Sequence, residues 1–406
     1  MAIPSNRRRD TIQLICREPY RLFFPLGICM GTIGVSPWLL YAFGWAETYS
    51  SFFHSSVQML VYMNCFITGF LTTFIPRVTG TPFATGVEIA SFALMLLGAL
   101  LFLYQQAWVM AEGCYILWLV LLVVFIVRRI LKKRKEGLDA GSPPIELMWI
   151  PWAVFHGILG TLLLILGQLK VISPLVIRAG KPMMEQGFLL SVVMGIGGFL
   201  IPRIMGTYRP AKIPFVHLLC AAGLLVSFVI EGLGYLSWGY GLRALVITII
   251  FYATGIVQRL GGPLALYAWL ARIAAWMIAL GLWAAAFFSD YRVAVLHIAF
   301  IGGFSLMTFA IATMVVMSHS GAGERLRQPL WILWAVICGI ALAVIKRTVV
   351  IFYPEIYFTF LGLASSLWII TAFCWLGFMI PYLLKVPEGD EFERMHEQVK
   401  RQVVKP

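Results

Sequence analysis

The feature that most limits what this chain can fold into is a series of about twelve long apolar stretches, each near the length needed to cross roughly 30 Å of hydrocarbon. They run approximately over 23–43, 56–75, 87–104, 113–127, 149–169, 185–201, 213–233, 241–257, 264–288, 293–316, 329–346 and 356–384. Most end at Pro, Gly or a charged residue, as helices do. With 61% hydrophobic and 12% charged residues among 406, the chain is far too apolar for a water-soluble globule. The fold class that follows is all-α, a polytopic integral membrane protein of about twelve transmembrane helices. Residues 1–22 read as an N-terminal segment, 23–385 as the membrane domain and 386–406 as a charged tail whose Glu388–Val404 alternates in sign at helical spacing. No cleavable leader is expected, since residues 1–20 are polar and include Arg7-Arg8-Arg9.

The net charge of +13 finds its explanation in the same plan. With the N-terminus in the cytoplasm, 23 of the 31 Lys and Arg fall on the cytoplasmic side, 7 on the other, and Arg272 inside a span. That asymmetry follows the positive-inside rule for an even number of spans with both termini cytoplasmic, and a bacterial inner membrane is the expected location. The run Arg128-Arg129-Ile130-Leu131-Lys132-Lys133-Arg134-Lys135 is its strongest contributor, and the loop at 170–186 its weakest point. Basicity therefore gives no reason to invoke a nucleic acid. Seven Cys, with no Cys-x-x-Cys and no Cys-x-x-Cys-His, exclude zinc ribbons, thioredoxin-like pairs and covalent c-type haem.

An internal echo subdivides the chain. Gly69-Phe70-Leu71 with Ile75-Pro76-Arg77 and Gly80-Thr81 closes span 2, and Gly198-Phe199-Leu200 with Ile201-Pro202-Arg203 and Gly206-Thr207 closes span 6. The Ile-Pro-Arg and Gly-Thr pairs are displaced by 126 residues, and span 10 ends similarly at Ser318-His319-Ser320-Gly321. These sites describe a four-helix unit repeated three times, which would bring spans 2, 6 and 10 to equivalent places around one axis. The alternative is that Pro, Gly and Arg are simply common at the ends of membrane helices.

Chemistry is expected where polar side chains enter the spans. Five of the six His do so, and His396 belongs to the charged tail. His54 and His297 lie at the outer ends of spans 2 and 10, whereas His156, His217 and His319 lie near the inner ends of spans 5, 7 and 10. The 22 residues between His297 and His319 correspond to roughly 33 Å of helix, so the two cannot share a metal. The outer pair suits bis-imidazole ligation of a haem b, and the inner three suit a copper site. Each His has an alternative reading as an amphipathic residue near the membrane interface. Arg292 could meet a haem propionate, although a loop arginine is the simpler reading. Arg272 is better read as snorkelling to the inner face than as polar support for a cofactor. Glu88, Glu185 and Glu231 sit near span ends, where carboxylates cost least.

Several of these residues carry a resemblance. Tyr20-Arg21-Leu22-Phe23-Phe24-Pro25-Leu26-Gly27 resembles the Arg-Pro-Phe-Phe opening of the NnrS family, and the Gly69-to-Gly80 stretch resembles its Gly-Phe-Leu run ending in Pro-x-x-Thr-Gly. Leu296-His297 and His319-Ser320-Gly321 resemble its Leu-His and Gly-His-Thr-Gly elements at the same 22-residue separation. The resemblance implies a haem- and copper-containing membrane protein linked to nitric oxide metabolism, denitrification and nitrosative stress, with nitric oxide as small-molecule ligand. It leaves open whether a membrane oxidoreductase acts on nitrogen oxides or whether nitric oxide is only sensed or bound, and it names no electron donor. His54 falls on the first His of the family's His-x-His-Glu-Met element, but Ser56 and Val57 stand in place of the second His and the Glu. His297 and His319 match, and His156 and His217 match no family motif. A similar arrangement of low-spin haem ligands on helices 2 and 10 occurs in haem–copper oxidase subunits, but the paired histidines of their seventh helix are absent here. A small-molecule transporter without a metal cofactor is the main alternative. Against it, no paired broken-helix signals with midplane carboxylates are found.

Overall fold

The computed structural model describes residues 5–135, 144–209, 214–257 and 265–386. The charged stretch 388–404 with its His396 therefore lies outside the described residues, as does the segment 136–143 that follows the basic run. Within them there are twelve helices long and apolar enough to cross a membrane, and no strand. Span 1 is Tyr20–Ala42, span 2 Ser51–Thr79, span 3 Gly86–Tyr104, span 4 Trp108–Lys133, span 5 Ile145–Gln168 and span 6 Ile177–Ile204. Span 7 is Pro214–Gly232, span 8 Leu236–Thr254, span 9 Leu266–Phe287, span 10 Ser289–His319, span 11 Trp331–Phe352 and span 12 Pro354–Leu384. A further helix, Ser5–Arg17, precedes span 1. Span 12 packs on span 1, which closes the bundle.

The four-helix repeat is visible in the burial and in the backbone. Spans 2, 6 and 10 are the most buried of the twelve, at 83%, 67% and 67% of their apolar windows, and no other span exceeds 56%. These three are the interior helices, and the others wrap them with lipid-facing Leu, Val, Ile and Phe. Each of the three also leaves the α geometry: Val57–Tyr62 in span 2, Met183–Gly187 and Val193–Gly197 in span 6, and Ile298–Ser305 in span 10 are π-helical. Such widened turns concentrate at functional sites. The three also end alike. Gly80, Gly206 and Gly321 have φ of +69°, +67° and +76°, a left-handed conformation in which a side chain would be strained. Thr81, Thr207 and Ala322 then donate back to the carbonyls of Pro76, Pro202 and Met317, so each end is closed by the same reversed turn. The Pro-Arg-Gly-Thr echo is thus a stop signal used more than once. Indole hydrogen bonds join outer to inner helices at equivalent places: Trp118 of span 4 donates to Thr68 of span 2, and Trp375 of span 12 to Thr313 of span 10.

At the end of the bundle where spans 2 and 10 terminate, the carboxylate of Glu18 is fully buried. It accepts from Arg21 Nε at 2.5 Å, from the Tyr20 hydroxyl at 3.0 Å and from Arg77 Nη2 at 3.1 Å, with His319 Nδ1 3.6 Å away. Arg21 also donates to the carbonyls of Leu383 and Lys385, the otherwise open end of span 12. One carboxylate therefore ties spans 1, 2, 10 and 12 together. Removing one partner of such a buried cluster leaves charges without compensation, at roughly 3–5 kcal/mol. Glu18→Ala is expected to lower the melting temperature in detergent far more than Glu324→Ala, whose carboxylate meets only Arg327 at the surface; differential scanning fluorimetry of the two variants measures the contrast.

Candidate functional site

At the opposite end of the bundle lies a cavity of about 540 Å³, bounded by spans 1, 2, 6, 7, 8, 10, 11 and 12. His54 and His297 both line it. Their rings are 6.5 Å apart between centroids and within 8° of parallel, although 243 residues separate them in sequence. Both imidazoles are fixed through the same atom. His54 Nδ1–H donates to the Gly34 carbonyl of span 1 at 2.8 Å, and His297 Nδ1–H donates to the Val293 carbonyl one turn earlier at 2.6 Å. A carbonyl can only accept, so Nδ1 carries the proton on both rings and Nε2 keeps its lone pair. This is the neutral tautomer that ligates metals, oriented by a backbone partner.

Local sequence explains how His54 reaches span 1. A side chain on Gly34 would collide with Gln58 and Val57, so the absence of one lets spans 1 and 2 touch. Gln58 uses the same proximity to donate to the Gly31 carbonyl at 2.8 Å. Ser50 caps the first turn of span 2 by accepting from the Phe53 amide, and the edge of Trp38 packs against the His54 ring. In both spans the π-helical segment begins within three residues after the histidine. Ser56 and Val57 are buried in the packing, and neither lines the cavity.

Val35, Met59, Leu296, Phe300 and Trp368 give the cavity apolar walls, and charged and polar side chains line the rest. Arg347 of span 11 is 8% exposed, and its Nη1 has no hydrogen-bond partner. Arg292 lines the cavity too and donates weakly to the Ser289 carbonyl. The charge count for topology assigned Arg347 and Arg243, with Lys181, to the seven basic residues of the outer side, whereas all three lie inside helices. Arg243 is wholly buried in span 8, where it donates to Glu231 and to Gln186 at 2.5 Å each and lies against the rings of Phe228 and Tyr240. The Tyr240 hydroxyl completes the shell of Glu231 at 3.0 Å. Glu185, Gln186, Glu231 and Tyr240 all line the cavity. The signal for this network was a carboxylate and an arginine twelve residues apart across a short turn, Glu231 and Arg243, each of which was discounted separately.

The three-imidazole copper centre is not assembled: among the described residues no three His, Cys, Asp or Glu are grouped to hold a metal ion. His156 is fully buried beside Ser191, Trp152 and Phe228; His217 Nδ1 accepts from the Trp149 indole at 3.1 Å; His319 is engaged with Glu18. Each of the three faces a different neighbour, and they do not lie at one depth. His156 also lies seven residues, roughly 10 Å of helix, beyond the Trp149 that holds His217. Arg272 does not reach the cavity either, because it donates to the Val257 carbonyl where span 8 ends, at the far side of the bundle.

The structure thus defines a class: a twelve-span helical membrane protein whose interior helices present two facing neutral imidazoles at one end. The sequence matches the model of the NnrS protein family over residues 14–386, nearly its whole length, and the chain belongs to that family. No curated protein matches it.

The charge network yields a stability test. Arg243→Met strands Glu231 in an apolar setting, a change costing roughly 3–5 kcal/mol, while replacing both partners is far milder. Arg243→Met should unfold at markedly lower temperature than wild type, and Arg243→Met with Glu231→Gln should recover most of the loss in the same melting assay.

Proposed function

We propose that the cavity holds a haem b between His54 and His297, and that the protein serves nitric oxide metabolism in a bacterial inner membrane, with the cavity on the outer side. The observation that carries the reading is the 6.5 Å spacing of two nearly parallel imidazoles. Two iron–nitrogen bonds of about 2 Å, extended by about 1.1 Å from each nitrogen to its ring centre, require roughly 6.2 Å. A bare metal ion would need further protein donors, and no third His, Cys, Asp or Glu joins these two among the described residues. A porphyrin brings its own four nitrogens, so two imidazoles suffice.

The rest of the wall fits the same group. The apolar side chains suit the macrocycle's faces. The buried Arg347, with an unpartnered Nη1, and Arg292 at the rim suit its carboxylates. When bound, the iron supplies one-electron chemistry and affinity for nitric oxide. The chain's contribution is to fix both imidazoles in one tautomer, to exclude water with Trp368, Phe300 and Met59, and to offer cations at one edge. Membership of the NnrS family supports a nitric-oxide-related membrane protein. The excess of basic residues at the opposite end supports the outward placement of the cavity.

Protein purified in detergent is expected to show a Soret band and, on reduction, the sharp α and β bands of a low-spin haem b. His54→Ala and His297→Ala should each remove the low-spin spectrum, while His156→Ala should leave it intact. A colourless wild-type preparation, or low-spin bands that persist in both cavity variants, would refute the assignment.

A further inference from the structure

The three-fold repeat aims three helices at the cavity, and two of them bring a histidine. Counted back from the left-handed glycine that ends each interior helix, His54 lies 26 residues before Gly80 and His297 lies 24 before Gly321. The corresponding place in span 6, 25 residues before Gly206, is Lys181. It lines the same cavity as the two histidines, just before the π-helical segment Met183–Gly187, as His54 and His297 stand just before theirs. One turn on, Glu185 also lines the cavity, with its Oε1 3.8 Å from Lys181 Nζ and without a hydrogen-bond partner. The middle arm therefore presents an ammonium–carboxylate pair where the other two present imidazoles.

We propose that Lys181 and Glu185 form a proton-exchanging pair that takes up one proton from water when an external one-electron donor, a redox mediator in the test below, gives one electron to the group that His54 and His297 would hold. This rests on the haem reading of the cavity. Its physical basis is charge compensation. An added electron makes the cavity more negative by one unit, and in a weakly polarisable interior that charge is felt strongly by the nearest group able to bind a proton.

The other charged and titratable groups around the pair do not serve this role. Glu231, from span 7, is held by Arg243 and Tyr240 of span 8. On span 2, His54 is committed through Nδ1 to Gly34, and its neighbour Ser55 adjoins the Glu185 carboxylate. On span 10, His297 is committed to Val293, and Arg292 donates to the Ser289 carbonyl. Arg347 of span 11 has Tyr357 of span 12 beside it. Lys181 and Glu185 are joined to each other, Glu185 also to Ser55, and the Lys181 ammonium lies 4.9 Å from the face of Phe52, so a change in their proton count leaves the Glu231–Arg243 network in place.

The sign of the effect is fixed. Reduction favours the protonated pair, so the midpoint potential falls as pH rises, tending to one proton per electron. Spectroelectrochemical titration of the detergent-purified holoprotein between pH 5 and 9 tests this. Wild type is expected to show the falling potential. Glu185→Gln should flatten the slope and, by removing a negative charge, raise the potential; Lys181→Met should flatten it and lower the potential. Glu112→Gln, a buried carboxyl of span 4 that does not line the cavity, should leave both unchanged. A pH-independent wild type, a wild-type slope retained in Glu185→Gln, or shifts of the same sign in the two variants would overturn the proposal. A preparation without haem bands would overturn the haem reading and this proposal together, and the spectrum recorded before titration distinguishes that failure from the others.

Discussion

Two hydrogen bonds from imidazole to backbone carbonyl organise the cavity end of this protein. Each fixes a proton on Nδ1, and together they leave two Nε2 lone pairs on rings that are nearly parallel. One bond crosses between helices and the other stays within its own helix. The crossing bond needs spans 1 and 2 in backbone contact, which Gly31 and Gly34 permit. The position of span 1 is set in turn at its other end, where Glu18 gathers Arg21, Arg77 and Tyr20. Placement of the rings therefore depends on small residues at one end and on a buried carboxylate at the other.

Much of this was legible in the chain. The twelve spans could be counted because a bilayer demands long apolar helices, while their boundaries were less legible, by as much as eight residues at the polar start of span 6. The repeat was legible because a helix that must stop uses Pro, Arg and a left-handed Gly in fixed order. The His54/His297 pair was legible because a topology with alternating directions puts the start of every even-numbered span on one side. The inner histidines show where such reasoning stops. Depth in the membrane follows from position along a helix, but direction around the bundle follows from how helices rotate against their neighbours. His217 and His319 lie near the inner ends of their spans and meet different neighbours, and His156 lies about two turns deeper than the level of His217.

The π-helical turns were not legible, since they carry no composition of their own and arise where packing forces an extra residue into a turn. Arg243 and Arg347 were misplaced for a related reason. Counting basic residues assumes that an arginine near a span end lies in water, and it fails when a carboxylate within the helices can take the charge. Glu231 does this for Arg243. Arg347 has Tyr357 of span 12 beside it and keeps one nitrogen, Nη1, without a hydrogen-bond partner.

The interior helices differ in what they offer at each level. Near the cavity they carry imidazole, ammonium and carboxylate. Further along, Thr68, Thr72 and Thr313 spend their hydroxyl hydrogens on carbonyls of their own helices, and Phe66, Phe309 and Trp375 fill the space between them. The far end is closed by the Glu18 knot. On that side the chamber is backed by packed aromatic rings and by threonine hydroxyls already committed to their own helices, so its floor offers few free polar groups to anything that sits in it.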